Sequence, residues 1–316
     1  MTFRSLLATS LLLTSVFPAG ASKIGDRRRP FFIIGHMANT LGEVDAFLKD
    51  GANAVEVDIE FADNGTVLGT YHEMFPCECF RVCGKREKIK TFLSHIREIT
   101  GAPSSPYAGK MILLFLDLKT SKLPATSKFT AGLTLAENLV YHLWQGDKDV
   151  LRGAIKYLKQ KEYSPLLRKV GYDVGMNGDL KSIKRMYKKL GIRRHRWQGD
   201  GLMNCFRFLL PTERLIEAIK QRDRPGGSID KVYYWTVDLP AYIADAIKIG
   251  IDGIITNRPD NAFYVVVHEF ANQLRVAGAG DNPWKKFRRH LKEATNEVDA
   301  NTDILEEQYI KELLPE

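Results

Sequence analysis

"NAVEVDIEFADNGTVLGTYHE", Asn53 to Glu73, opens with a strict two-residue alternation. In an extended chain Val55, Val57, Ile59 and Phe61 point to one side, while Glu56, Asp58 and Glu60 point to the other. An edge strand with one wet face would explain that much. It would not explain the imidazoles: His72 follows the stretch, and His36 sits after the short apolar run "FFIIG" at Phe31–Gly35. Carboxylates and histidines gathered near strand ends point to a site.

Working outward, strand-like runs alternate with helix-like ones. "FFIIG" precedes the helical spacing Leu41, Val44, Phe47, Leu48; Ala54–Phe61 follows, and then "MILLFLDLK" before a helix near Gly132–Leu143. "GAIKYLKQ" and "KVGYDV" are the next two strand candidates. "RHRWQGDG" follows the helical "LKSIKRMYKKLG", "KVYYWTVD" precedes "PAYIADAIKIG", and "IDGIITN" precedes "PDNAFYVVVHEFANQL". Roughly eight β-then-α units without an internal linker predict an α/β fold, a parallel-stranded (β/α)8 barrel in a single domain. The chain's 316 residues and 44% hydrophobic content are enough to fill such a barrel.

The two ends differ from the middle. Residues 1–22 hold Arg4, an apolar stretch "LLATSLLLTSVF" and small residues at Ala19–Ala21, the pattern of a cleaved secretory signal. That run is too short to span a bilayer, and no later segment has 18 consecutive apolar residues, so no transmembrane segment is expected. The division is signal 1–22, barrel 23–284 and a charged, helical tail 285–316. Secretion makes the four cysteines disulfide candidates rather than zinc ligands, since paired Cys-x-x-Cys knuckles are missing. Three pairings exist; Cys77 and Cys79 are too close to join comfortably, so Cys205 is expected to pair with Cys77 or Cys79. Asn64-Gly65-Thr66 is an N-glycosylation acceptor. The net charge of +8 is spread along the chain without aromatic interleaving, which suits adhesion to anionic surfaces and excludes a recognisable nucleic-acid motif.

In a barrel of this kind the strand C-termini build the site. His36 ends the first strand, Glu56 and Asp58 lie in the second, and His72 is in the loop beyond it. Asp117 and Lys119 end the third, Trp235 and Asp238 the seventh, and Asn257 the eighth. Inward-facing carboxylates are costly unless paired or metal-bound. Glu56, Asp58 and Asp117 suit a hard cation such as Mg2+, which keeps sites for a substrate phosphate. Lys119 would balance charge, and two histidines beside the cation suit proton transfer. Tyr233, Tyr234 and Trp235 read either as barrel rim and core or as an aromatic wall for a choline-like cation.

"GHMANTLGEVDAFLKDGANAVEVDIEF", "YHEMFPCECFRVC", "LFLDLKT", "WQGDGLMNC", "KVYYWTVD", "DGIITNRPD" and "DNPW" resemble the secreted arthropod phospholipases D. These are the sphingomyelinase D, or dermonecrotic, toxins, relatives of glycerophosphodiester phosphodiesterases. The resemblance runs from Arg28 to Trp284 and implies a distorted TIM barrel. It implies a magnesium-dependent enzyme releasing choline from sphingomyelin and lysophospholipids such as lysophosphatidylcholine with a cyclic phosphate, formally a lyase; a monomer is expected. It assigns catalysis to His36 and His72, the metal to Glu56, Asp58 and Asp117, and active-site roles to Lys119, Trp235, Asp238 and Asn257; Tyr233 joins the substrate candidates from the aromatic reading above. It also implies bridges Cys77–Cys83 and Cys79–Cys205. The loop "HEMFPC" looks one residue longer than in spider toxins, "GAIKYLKQK" is more basic, and the tail is longer. A glycerophosphodiesterase of soluble diesters, or a non-catalytic lipid-binding barrel, are the rival readings; the cysteines and Trp235 weigh against the first. The second is disfavoured because every catalytic position is filled.

Overall fold

The computed structural model describes residues 9–14, 26–73, 81–139, 169–174, 177–209 and 211–287. Seven parallel strands make most of a barrel: β2 (Arg29–Gly35), β3 (Ala54–Phe61), β6 (Leu113–Leu118), β7 (Val170–Val174), β8 (Trp197–Gly201), β9 (Lys231–Trp235) and β10 (Gly253–Thr256). Each matches a strand expected from the sequence. The ring runs β6, β3, β2, β10, β9, β8, and a parallel bridge from Tyr172 to Arg196 carries it on to β7.

The stave between β6 and β7 is a surprise. It is β1 (Thr9–Thr14), antiparallel to both neighbours, with Ser10 opposite Asp117 on one side and Asp173 on the other. The sequence reading places these residues in a leader and gives the fourth stave to "GAIKYLKQ", which lies outside the described residues. A short run rich in leucine and threonine can satisfy two open sheet edges as well as it can fill a signal core, so composition does not separate the two roles.

Helices α1 (Leu41–Lys49), α2 (Ile89–Gly101), α3 (Lys128–Asn138), α4 (Leu180–Lys189), α5 (Glu213–Asp223), α6 (Pro240–Ile249) and α7 (Pro259–Tyr264) cover the outside. The long last helix expected over 259–274 is broken: α7 gives way to a π turn at Val265–Glu269 and then to the short strand β11 (Leu274–Val276). The helix start at Thr40 follows local chemistry. Its hydroxyl accepts from the Glu43 amide while the Glu43 carboxylate accepts from the Thr40 amide, a capping box.

The alternation of β3 separates two cores. Val55, Val57 and Ile59 pack outward with Phe92, Leu93 and Ile96 of α2, in one cluster with Phe31 and Ile33. The other faces, carrying Phe32, Ile34, Ala54, Phe115, Trp197 and Tyr233, fill the barrel itself. Trp197 meets Phe32 and Phe115 edge-on at 5.0 and 5.3 Å. At the N-terminal ends of the strands the Trp197 indole donates to the Pro283 carbonyl at 3.1 Å, and Trp284 stacks on His195. The "DNPW" segment therefore plugs the base of the barrel. Asp252, buried among Arg29, Arg222 and Lys231, closes the same end; those cations outweigh its burial and hold its carboxyl far below the usual range.

Candidate active site

At the other mouth, β3 and β6 lie side by side in a register that pairs Asp58 with Asp117. Neighbouring strands stand about 4.8 Å apart, so the two carboxylates face one point. Glu56 and Asp58 are both buried, one pleat apart on the inner face of β3. β3 is thus an interior stave, and the acidic half of its alternation faces the barrel. One oxygen from each of Glu56, Asp58 and Asp117 lies within 4.8 Å of the others. Lys119 Nζ bridges two of them, at 2.7 Å from Asp58 Oδ1 and 2.6 Å from Asp117 Oδ2.

The chain after β2 wraps over this cluster. Met37 takes a positive φ of 50°, uncommon for a side chain of its size, and its amide donates to Glu56 Oε2 at 2.8 Å. Asn39, two residues on, donates from Nδ2 to Asp58 Oδ2 at 2.6 Å and accepts from the Asp58 amide at 2.9 Å. Burial and the neighbouring Asp58 and Asp117 charges push Glu56 well above the ordinary carboxylate range. Burial also opposes ionisation of Asp58, but the Lys119 ammonium outweighs it and holds that carboxyl down, with His72 contributing. Lys119 is only half-buried, and against that burial Asp117, Asp58 and Glu56 keep its ammonium charged far above the normal range.

His36 sits where β2 ends, its amide bound to the Thr256 carbonyl at 3.0 Å. Its Nδ1 meets Asn257 Oδ1 at 3.0 Å. The Asn257 amide group donates from Nδ2 to Asp238 Oδ2 at 3.0 Å, which turns its oxygen toward the imidazole and makes His36 Nδ1 the donor. Asp238 is held in turn by the Thr256 hydroxyl, the Asn257 amide and Asn204 Nδ2. Burial first, and then the Arg81 charge, lower the His36 pKa to about 3, so its Nε2 is an unprotonated acceptor at neutral pH.

His72 arrives by a hairpin that the sequence reading does not contain. β4 (Val67–Tyr71) turns back antiparallel on β3, with Thr70 opposite Ile59, and pairs on its far side with β5 (Arg86–Lys88). The hairpin returns the chain toward the Asp58 level just before His72. The His72 Nδ1 meets the Glu73 carbonyl at 2.9 Å and is the donor there, leaving Nε2 to act.

The remaining expected residues divide. Trp235 is half-buried at the mouth, packed against the barrel aromatics. Tyr233 lies deeper, and its hydroxyl donates to Asp173 Oδ2 at 2.8 Å; Gly199 makes room, because a Cβ there would stand 2.5 Å from that hydroxyl. Asn64 is exposed in the β3–β4 turn, its side chain accepting from the Thr66 amide. Cys83 and Cys205 are disulfide-bonded; Cys77 and Cys79 lie outside the described residues. Asn39, Arg81 and Asp173 escaped the sequence reading. Asn39 stands in the quoted "GHMANT", three residues from His36, and that proximity was the available signal.

A family model described as dermonecrotic toxin SPH matches residues 26–284. A dermonecrotic toxin SPH of Ixodes scapularis is 43% identical over 302 residues, covering 89% of this chain and 83% of its own length. Dermonecrotic toxin Hl-PLD1 of Hemiscorpius lepturus is 39% identical, covering 84% of this chain and 86% of its own. Among solved structures, a putative glycerophosphoryl diester phosphodiesterase of Silicibacter pomeroyi is similar at 14% identity and a TM-score of 0.48, over 78% of this chain and 96% of its own. With the match spanning the barrel from Asp26 to Trp284, the chain belongs to the dermonecrotic toxin SPH family, whose members are phospholipase D and sphingomyelinase D enzymes.

Proposed function

We propose that this protein is a secreted, magnesium-dependent phospholipase D that releases choline from sphingomyelin and lysophospholipids by attack of the lipid's own hydroxyl. The observation that carries it is the convergence of three carboxylates, Lys119 and an uncharged, acceptor-ready His36 at one barrel mouth. The donor set fits a hard divalent cation: it is all oxygen, and Asp117 Oδ1 is buried without a hydrogen-bond partner. Lys119 alone does not neutralise three carboxylates. Glu56, Asp58 and Asp117 would hold the ion, which when bound supplies charge stabilisation to the phosphoryl oxygens.

His36 Nε2 takes the proton of the attacking hydroxyl as its oxygen bonds to phosphorus. His72 Nε2 delivers a proton to the departing choline oxygen as the phosphorus–oxygen bond breaks. Lys119 steadies charge at the phosphoryl oxygens, and Trp235 offers its ring to the trimethylammonium group. A tethered hydroxyl gains the effective molarity of an intramolecular reaction, so sphingomyelin gives a cyclic ceramide phosphate and free choline. Phosphorus NMR of the reaction tests this: the cyclic diester should appear with choline release. An open monoester formed first, with no cyclic species at any time, would overturn the intramolecular course.

Secretion and the leader rest on the sequence pattern of residues 1–22 and on the toxin relatives; no described helix is long and apolar enough to cross a membrane. Removal of residues 1–22 would take β1 with it and leave the β6 and β7 edges to be re-paired. N-terminal sequencing of the secreted protein should start near Ser22 or Lys23. Secreted protein that still carries Thr9–Thr14 would make β1 a permanent stave.

A further inference from the structure

Arg81 precedes the disulfide-bonded Cys83 by two residues, and its guanidinium reaches out of that loop into the site. Nη1 donates to the His36 carbonyl and, at 3.1 Å, to Asn257 Oδ1. Nη2 donates to the Met37 carbonyl at 3.3 Å and to Glu43 Oε1 at 3.0 Å. The Phe47 ring lies beneath the guanidinium, 5.3 Å from its centre. Phe47 is itself pressed to the end of β2, where a Cβ on Gly35 would fall 2.6 Å from the ring. Only 14% of the Arg81 side chain is exposed. One planar fork therefore ties the cysteine loop to the β2 end, the first turn of α1 and the β10 end.

The contact with Asn257 has a chemical consequence. A side-chain amide can present oxygen or nitrogen to His36. Oxygen makes His36 Nδ1 a donor and frees Nε2 to accept; nitrogen would do the reverse and leave His36 useless as a base. Two groups hold the amide in the first orientation: Asp238, which only accepts, faces Nδ2, and Arg81, which only donates, faces Oδ1. We propose that Arg81 is a positioning residue that fixes the tautomer and place of His36, so that the disulfide-tethered loop sets the readiness of the base. A lysine cannot replace the fork, because a single ammonium cannot reach both carbonyls, the amide and the carboxylate in one plane.

The inference rests on the reading of His36 as base, and the experiment separates the two. The full-length secreted protein and its R81A, R81K and H36A variants, labelled with 15N-histidine, would be compared by side-chain NMR and by choline release from a phosphocholine lipid. In the parent, His36 should show the tautomer with its proton on Nδ1. R81A should show a mixture of tautomers and a kcat lower by roughly 100-fold, the scale of a misplaced catalytic group, with KM within twofold. R81K should fall between them. A parent-like His36 spectrum in R81A overturns the proposal, whether kcat is kept or lost, since a loss would then reflect folding. Full turnover in H36A would remove the base reading, while the tautomer spectra of R81A would still decide the role of Arg81.

Discussion

Asn39 and Asp58 hold each other at both ends, the Asn39 amide group donating to the Asp58 carboxylate at 2.6 Å and the Asp58 backbone donating back at 2.9 Å. Asn39 touches no proposed reacting atom, yet it aims a proposed metal ligand. Its own carbonyl is pinned by the Thr70 hydroxyl at 2.6 Å, so the pair is rigid. Partners behind a metal ligand typically contribute 10–100-fold in metal affinity. Asn39→Ala should weaken magnesium to about that extent, read as a rightward shift in the magnesium dependence of choline release. It should also cost about 1–3 kcal/mol of stability by leaving a buried carboxylate oxygen short of a donor. An unchanged magnesium midpoint would remove Asn39 from the metal's support.

Glu56 makes metal binding a proton-releasing event. Burial and its two acidic neighbours raise its pKa, so in the metal-free protein the group retains a proton beyond the ordinary carboxylate range. A cation must displace that proton, so affinity should rise with pH until Glu56 is ionised without help. Calorimetric titration with magnesium in two buffers of different ionisation enthalpy should give different heats near neutral pH, and Glu56→Gln should abolish the difference. Buffer-independent heats for the parent protein would show that Glu56 is already ionised.

The fold was legible because its signal is local. Inward and outward residues of β3 differ in kind, and seven of the runs read as staves are staves. The acidic cluster followed from strand position alone, since Glu56, Asp58 and Asp117 need only the barrel rule to meet. What was not legible depends on chain reversals and long reach. The β3–β4 hairpin that returns His72 toward Asp58 hangs on a five-residue strand containing Gly69, a weak pattern by itself. Arg81 is 176 positions from the Asn257 it touches, and Asp173 is 60 from Tyr233. Tyr233 fits its core reading, a buried side chain whose polar end points at a buried carboxyl.

The bridges should be unequal in energy. Cys205 follows β8 and Cys83 precedes β5, and both are bonded in the structure. The pairing Cys79–Cys205 proposed from the family resemblance would close a loop of about 126 residues, for which the chain-entropy model assigns about 4–5 kcal/mol. Cys205→Ser should therefore lower the denaturation midpoint far more than Cys83→Ser, whose partner closes a short loop. Cys83→Ser should instead depress kcat, because it loosens the segment that carries Arg81. Equal losses of stability from the two variants, or peptide mapping that joins Cys205 to Cys77, would refute the pairing.

Asp173 should give the protein a dependence of stability on pH that runs opposite to the usual acid effect. Its carboxyl is fully buried in the barrel, with the Tyr233 hydroxyl on one oxygen and the Gly199 amide on the other at 3.2 Å. Burial raises its pKa from 3.8 to about 7 despite those donors. Between those two values the unfolded chain has lost the proton that the folded chain keeps. The contribution of Asp173 is thus complete below pH 3.8 and is lost as pH rises through about 7. Asn has the same shape as the protonated acid, with one acceptor oxygen and one donor, but no proton to lose. Asp173→Asn should therefore be close to the parent in stability at pH 5 and should gain on it as pH rises to 8.5. Thermal melts of both proteins across that range measure it. A gap that stays constant with pH would mean that Asp173 is ionised throughout, and that the barrel interior solvates its charge better than its burial suggests.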